Sequence, residues 1–270
     1  NGGLTWAVSQ LLPDPNPTHT SQSDPVITSD AQGDFYISST SRKPVSGFNR
    51  DMLIYKSTNN GQTFFLHSTA VPGTGGAGDN TSGQGSNICS GTNNQIYVVW
   101  AASGIRFDKS TNGGTSFGTD FQLSNVSTTN GFPFICVDYS ANATRGNVYV
   151  VWDDMRGGNS DVWFQRSTDG GTNWLAAPIR INDVTTANQY WPVIQCDNNG
   201  NLFAIYYDTR LGASQINSYV AYSTDAGSTW VNQQLSDSSF TDQEPNSDVR
   251  FGDYIQIDAF SGKVIPVWTD

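Results

Sequence analysis

The chain of 270 residues has 24 acidic and 13 basic residues, a formal net charge of −11, and a charged fraction of only 14%. The acidic balance argues against nucleic acid and anionic membranes as partners, because both are bound by basic patches. No apolar run is long enough for insertion into a bilayer. Few charges together with abundant Gly, Ser, Thr and Asn favour short strands and tight turns over helices, so we expect an all-β protein.

In chain order, the first predicted element is an outer strand, called strand d, at residues 5–12. From residue 24 a pattern of four short strands, a to d, recurs, with tight turns between them. Strand a is predicted at 25–27, 87–89, 133–136, 192–194 and 254–257, strand b at 35–37, 96–100, 148–152, 202–206 and 264–268, and strand c at 52–55, 105–107, 162–164 and 219–221. Four antiparallel strands in each repeat are the pattern of a β-propeller blade.

The turn between strands c and d carries a recurring motif, Ser-x-Asp/Asn-x-Gly-x-x-aromatic. Its aromatic positions are 58, 53, 57 and 56 residues apart, counted from Trp6 in the partial copy that opens the chain. The Asp or Asn side chain accepts hydrogen bonds from the backbone of its own turn, Gly supplies a positive φ, and the aromatic ring anchors the turn. The motif residues with this structural role are Asn59, Gly61, Phe64, Asn112, Gly114, Phe117, Asp169, Gly171, Trp174, Asp225, Gly227 and Trp230.

These repeats predict a single propeller domain over residues 1–270. Complete blades are expected at 24–70, 85–124, 132–182 and 190–235, and a partial blade at 252–270. If residues 5–12 completed the partial blade, a strand c between the two segments would be missing. We therefore expect residues beyond both ends and six blades in all, with five blades as the alternative.

The repeated turns resemble the Asp boxes, or BNR repeats, of the sialidase (neuraminidase) superfamily, and the resemblance covers essentially the whole chain. It implies a sialidase-like β-propeller in which these turns lie away from the active-site face. Ligands are then expected at the opposite edge, where the b–c and d–a loops lie. Asp boxes also recur in proteins without sialidase activity, so the resemblance predicts the fold and leaves the activity open.

The most regular feature of that opposite edge is an aromatic-x-Asp-x-Arg motif at the end of strand b. It contributes Asp154 with Arg156 and Asp208 with Arg210 as candidates for ligand binding. Guanidinium groups around a central well could clamp a carboxylate, as the arginine triad of sialidases does for sialic acid. The alternative is that each Arg pairs with an Asp of its own or the next blade and holds the loops in place.

The resemblance also implies candidates for catalysis, because sialidase chemistry pairs a Tyr nucleophile with a Glu and uses a separate Asp and several arginines. Tyr254, Glu244 and Arg250 lie together in the sequence, and Asp253 beside them is a further candidate for ligand binding. The Arg-Ile-Pro signature expected near the start of a sialidase is not found. The sequence therefore leaves an exo-sialidase-type glycoside hydrolase as an alternative and does not decide whether the protein is an enzyme.

The competing interpretation is a carbohydrate-binding, adhesion or interaction module. Aromatic side chains such as Trp191 and Phe132 would stack on sugar rings while Asp and Asn bind hydroxyls, or would instead belong to the core. We expect carbohydrate or a cell-surface glycoconjugate as the partner, with other surface proteins as further partners. The low lysine content and the usual habitat of the resembled family favour an extracellular or cell-surface location.

No cofactor is expected. An alternative is calcium held by carboxylates of the Asp-rich loops, namely Asp153, Asp154 and Asp161, although no EF-hand spacing supports it. The three cysteines lie in no metal-binding pattern and are predicted to be small buried residues of strands. Cys89 and Cys136 occupy equivalent places in successive repeats, where a disulfide between blades is the alternative if the protein is secreted.

Overall fold

The computed structural model describes residues 11–13, 21–42, 50–69, 83–129, 131–241 and 255–269. The regular structure within these ranges consists of eighteen β-strands, β1 to β18. Among the described residues there is no helix long and apolar enough to cross a membrane. The all-β class expected from the composition is confirmed.

The described strands form four antiparallel sheets of four strands and one of two strands, each in chain order. The first sheet contains β1 (Ser21–Ser29), β2 (Phe35–Arg42), β3 (Arg50–Ser57) and β4 (Phe65–Thr69). The second contains β5 (Gln84–Ser90), β6 (Ile96–Ala102), β7 (Gly104–Ser110) and β8 (Phe121–Ser124). The third contains β9 (Phe134–Val137), β10 (Val148–Asp154), β11 (Asp161–Ser167) and β12 (Ile179–Arg180). The fourth contains β13 (Gln189–Cys196), β14 (Leu202–Asp208), β15 (Asn217–Ser223) and β16 (Val231–Gln234), and the fifth contains β17 (Gln256–Phe260) and β18 (Lys263–Val267).

The first strand of every sheet lies innermost. Strands β1, β5, β9, β13 and β17 line one central cavity of about 340 Å³. Each of the first four contacts the first strand of the next sheet. Because the strands of a sheet follow in chain order, the fourth strand lies outermost. The sheets are thus arranged around an axis like the blades of a propeller, as the repeats predicted.

The core lies between neighbouring sheets. Trp152 of β10 is buried with Val99 in the cluster between the second and third sheets, whereas its neighbour Val151 is buried with Ile194 in the cluster between the third and fourth. Successive side chains of a strand point to opposite faces, and both faces of β10 are covered. This burial on both faces explains why strand b reads as a continuous apolar run rather than as an alternating pattern.

The turns between third and fourth strands are held by a shared set of hydrogen bonds. In the third sheet, Ser167 Oγ donates to Asp169 Oδ1 (2.8 Å), which also accepts from the N–H of Asn173 (2.8 Å), while the N–H of Gly171 donates to Ser167 Oγ (2.8 Å). The bonds from Asn173 lower the pKa of Asp169 to about 2. Equivalent bonds are made in the turns that begin at Ser57, Ser110 and Ser223.

The turns of the second, third and fourth sheets also fasten each of these sheets to the preceding one. The ring of Trp174 packs edge-on against Phe107 of β7 with centroids 4.9 Å apart, and Lys109 of β7 donates to the carbonyl of Gly170 (3.3 Å). Gly171 has a φ of 78°, and a Cβ atom there would lie 2.5 Å from the ring of Phe107. Glycine is therefore required at position 171 both for its backbone conformation and for the close approach of two sheets.

The first and fifth sheets each carry exposed apolar side chains. Ile27 of β1 is 59% exposed, and Ile265 and Val267 of β18 are 63% and 60% exposed. Gly61 is the counterpart of Gly171 in the first sheet, and nothing lies within 4 Å of a Cβ placed on it. Among the described residues, the turn of the first sheet therefore lacks the contact that Gly171 makes, whereas Leu53 and Tyr55 in the strand before it are fully buried.

One detail differs from the sequence predictions. Residues 11 and 12 of the outer strand predicted at 5–12 form no strand, and the rest of that segment lies outside the described residues. Next to them, Pro13 has no N–H for a strand ladder, and its carbonyl accepts from the hydroxyl of Tyr55 (2.8 Å).

The cysteines are all free thiols, and Cys89 and Cys136 are buried as predicted, whereas Cys196 is half-buried. Cys89 belongs to the cluster between the second and third sheets, whereas Cys136 belongs to the cluster between the third and fourth. Equivalent positions of successive sheets face the same way around the axis, so these two side chains do not face each other. The disulfide considered between Cys89 and Cys136 is therefore absent.

Candidate functional site

The upper edge of the sheets, opposite the Ser-x-Asp/Asn-x-Gly turns, carries four equivalent segments beside the central axis. We call these segments the axial rim: Asp24-Pro25-Val26, Gly85-Ser86-Asn87, Phe132-Pro133-Phe134 and Trp191-Pro192-Val193. They are equivalent because the third residue of each segment pairs with the fourth residue of the second strand in its sheet.

The backbone of the rim is bulged in three of the four sheets. The strand register shifts at these segments, and their first residues have positive φ angles: 55° at Asp24, 62° at Gly85 and 54° at Trp191. Asp and Gly tolerate this left-handed conformation, whereas it is strained for a bulky residue such as Trp. Bulges and strained residues of this kind concentrate at functional sites, where they direct side chains towards a ligand.

Asp153, at the end of β10, holds two neighbouring parts of the upper edge. Its Oδ1 accepts from the N–H groups of Gly131 (3.2 Å) and Trp191 (3.4 Å), and its Oδ2 accepts from Ser160 Oγ (3.1 Å). The carboxylate is fully buried. Hydrogen bonds from backbone N–H groups compensate its burial, and in return it supports the strained backbone of Trp191.

Two cavities open along the rim. The larger, of about 80 Å³, lies among the rim segments of the first three sheets. The smaller, of about 30 Å³, lies between Phe132 and Trp191 and is also lined by Ile255. Both aromatic side chains are half-buried. Apolar walls with a few polar groups are typical of small-molecule sites.

Arg156 does not face this rim. Its Nε donates to Asp154 Oδ1 (2.9 Å), and its Nη2 donates to Asp154 Oδ2 (2.6 Å) and to Ser124 Oγ (2.7 Å). The guanidinium also stacks over the ring of Trp163, 4.6 Å from its centroid. Since Ser124 ends the outermost strand of the second sheet, Arg156 ties the third sheet to the second.

Arg210 makes the same kind of link one sheet further on. Its Nη2 donates to Asp208 Oδ2 (2.7 Å) and to Asp183 Oδ1 (2.6 Å). Asp183 follows the outermost strand of the third sheet. The guanidinium also lies 3.9 Å from the centroid of the Tyr219 ring. Burial alone would lower the pKa of Arg210, but the two carboxylates raise it above its ordinary value. Both arginines of the repeated motif are thus engaged in pairing with Asp.

The acidic side chains considered for calcium are also engaged. Asp153 and Asp154 hold the groups named above, and Asp161 Oδ1 accepts from Asn182 Nδ2 (2.8 Å). Within the described ranges, no group of three or more His, Cys, Asp or Glu side chains is arranged to hold a metal ion.

The catalytic candidates from the sequence lie outside the described residues: Tyr254, Glu244 and Arg250, together with Asp253. Only Ile255, which follows Tyr254 in the chain, is seen at the smaller cavity. Of the ligand-binding candidates, Trp191 belongs to the rim. Three further rim residues were not singled out from the sequence, namely Asp24, Ser86 and Asn87. A Pro directly after it marks Asp24, whereas the segment of Ser86 and Asn87 is the one of the four without Pro.

No protein-family model and no curated protein sequence matches the chain. Similar solved structures include a protein of unknown function from Dyadobacter fermentans, with a TM-score of 0.59 at 13% identity over 90% of this chain and 72% of the other. Another is a GH93 α-L-arabinofuranosidase of Fusarium graminearum in complex with arabinobiose, with a TM-score of 0.59 at 12% identity over 83% and 69%. A third is an endo-arabinase from Bacteroides thetaiotaomicron, with a TM-score of 0.54 at 14% identity over 91% and 92%. At these identities the likeness shows that the chain shares the fold of these proteins.

Proposed function

We propose that this protein is a sialidase-like propeller module that binds carbohydrate at the axial rim. The observation that carries the proposal is the pair of cavities around Phe132, whose walls combine aromatic and proline side chains with a few polar groups. The fold is shared with enzymes described as arabinanase and arabinofuranosidase, one of them in complex with arabinobiose. A sugar ligand without net negative charge also suits the acidic character of the chain.

The proposal includes the finer architecture. The four turns with equivalent hydrogen bonds are Asp boxes of the BNR type, and the propeller has six blades within one domain. The exposed side chains of Ile27, Ile265 and Val267 support a further blade between the fifth and first sheets. Five blades, with this gap closed by chain outside the described residues, are the alternative.

The natural setting that we propose is the cell surface or the extracellular medium, where glycoconjugates and other surface proteins are the partners. Immunodetection on intact cells and in the medium tests this placement. Protein found only in the cytoplasm would contradict it.

The binding proposal is tested by isothermal titration calorimetry with a panel of neutral disaccharides that includes arabinobiose, and with an acidic sialoside. Phe132→Ala removes the ring shared by both cavities and is expected to weaken binding at least tenfold. Phe121→Ala is the matched control, since Phe121 is a 45% exposed aromatic residue of the outer strand β8. Equal binding by the two variants, or no binding of any sugar to the unaltered protein, would refute the proposal.

The second candidate is an exo-sialidase-type hydrolase, favoured by the place of Ile255 at the smaller cavity, directly after Tyr254. This candidate predicts turnover of a fluorogenic sialoside that is abolished in Tyr254→Phe and Arg250→Ala and reduced when Glu244 is replaced. Sugar binding without any turnover would favour the binding module instead.

A further inference from the structure

The larger rim cavity is lined by a polar group that the protein itself leaves without a partner. Ser86 lines it and is 1% exposed, and its buried hydroxyl has no hydrogen-bond partner. The neighbouring Asn87 lines the same cavity and is 5% exposed. Buried polar groups are normally satisfied, so an unpartnered hydroxyl beside an amide on one cavity wall suits a partner from outside the protein.

The opposite wall carries a carboxylate that is already oriented. Asp24 Oδ2 accepts from Thr40 Oγ1 (3.1 Å) and from Ser23 Oγ (3.1 Å), at the bulge where the backbone is left-handed. Asp24 is the one charged side chain among the described residues that line this cavity. A carboxylate accepts hydrogen bonds but repels a second negative charge. Its presence favours a ligand that offers hydroxyl donors and has no carboxylate of its own.

Phe132 supplies a flat apolar wall. Its ring lies so close to Gly85 that a Cβ atom there would be 2.0 Å from Cδ1 of the ring. The cavity of about 80 Å³ has room for about six water-sized groups. A cavity with an aromatic face, a hydroxyl, an amide and a carboxylate fits the hydroxyl-bearing edge of one sugar ring.

We infer that this cavity is a subsite for a single neutral sugar ring. The hydroxyls of the sugar bond to Ser86 Oγ, to the amide of Asn87 and to the carboxylate of Asp24, while the ring lies against Phe132. This inference rests on the proposed carbohydrate binding and adds to it the residues that select the ligand and the exclusion of acidic sugars such as sialic acid.

The test compares Ser86→Ala and Asn87→Ala with the unaltered protein by calorimetry, using the neutral disaccharide of the panel that binds best and N-acetylneuraminic acid as the acidic probe. Each variant is expected to lose about tenfold in affinity for the neutral sugar, and the acidic sugar is expected not to bind. Ser218→Ala is the matched control, because the hydroxyl of Ser218 in β15 is equally buried and without a partner but lies outside the cavity. A thermal melt of each variant confirms that it is folded.

A second variant tests the shape of the subsite. Gly85→Ala pushes the ring of Phe132 out of its place and is expected to abolish binding of the neutral sugar. If a neutral sugar binds the unaltered protein and these variants equally well, the subsite is refuted while carbohydrate binding stands. Tighter binding of N-acetylneuraminic acid refutes the neutral ligand, and no binding of any sugar refutes both the subsite and the proposed function.

Discussion

Replacing Gly171 by Ala tests whether the repeated turns hold neighbouring sheets together. Gly171→Ala introduces a Cβ atom 2.5 Å from Cζ of Phe107 in the preceding sheet, at a φ of 78°. Gly61→Ala makes the same change in the first sheet at a φ of 76°, with nothing within 4 Å of the new atom. The two variants share the backbone strain and differ only in the contact between sheets.

The magnitudes follow from these two terms. The left-handed conformation costs an L-residue about 1–2 kcal/mol, and the stiffer unfolded chain of an alanine variant returns about 0.4–1 kcal/mol. Gly61→Ala should therefore lower the free energy of unfolding by about 1 kcal/mol. Overpacking against Phe107 adds about 1–3 kcal/mol, so Gly171→Ala should cost about 2–4 kcal/mol.

Urea denaturation followed by tryptophan fluorescence measures both changes. A double variant, Gly171→Ala with Phe107→Leu, should cost less than the sum of its single changes, because the smaller side chain makes room for the new methyl group. If Gly171→Ala and Gly61→Ala destabilise the protein equally, or if the double variant is simply additive, the turn does not act as a contact between sheets.

Three further predictions concern charge and thiol chemistry. Hydrogen bonds from Asn and Thr side chains and backbone hold the pKa of Asp169 and Asp225 at about 2, below the ordinary 3.8, so the stability they contribute is present above about pH 4 and lost towards pH 2. Both groups are highly exposed, so each contributes less than about 1 kcal/mol to the free energy of unfolding. Replacing both by Asn should weaken the pH dependence of the unfolding free energy between pH 5 and pH 2. An unchanged pH dependence would show that these two carboxylates are not its source. Arg156→Met should lower the free energy of unfolding in urea by about 3 kcal/mol, because it leaves the buried Asp154 without its cation. If the variant instead loses sugar binding at unchanged stability, Arg156 serves to hold a ligand. Burial raises the pKa of all three cysteine thiols, and Cys89 and Cys136 are the two that are buried rather than half-buried. A thiol reagent should therefore label Cys89 and Cys136 in denaturant but not in the folded protein, and their rapid labelling in the folded protein would contradict their burial.

The sequence predicted the parts of the fold that are determined by local chemistry. The motif around Asp169 specifies its own hydrogen bonds within a few residues, and its spacing then places the strands on either side. The strand at Val148–Asp154 was found from its apolar run for the same reason. What the repeats could not predict is the exposure of Ile27, because that depends on which sheets meet around the axis.

The candidate site was predicted less completely. Trp191 was singled out as an aromatic residue before a strand, but the cavity beside it is built from segments that lie far apart in the sequence, such as Phe132 and Ile255. The role of Arg156 also could not be read from its motif, since the same Asp-x-Arg spacing allows the guanidinium to turn towards the axis or towards Ser124 of the preceding sheet.

The contrast between the two edges of the sheets indicates where this protein has specialised. At the lower edge the side chains are repeated from sheet to sheet, as Ser167 and Ser223 show, because each turn needs the same bonds. At the rim the backbone position is repeated while the side chain changes from Asp24 to Phe132 to Trp191. A purely structural position would use one residue that suits the bulge, as glycine does, whereas a strained Trp with φ of 54° costs stability that its fold does not require. Different side chains on equivalent backbone around one axis are what an asymmetric ligand needs from a symmetric fold, and this supports the proposed recognition at the rim rather than in the repeated turns.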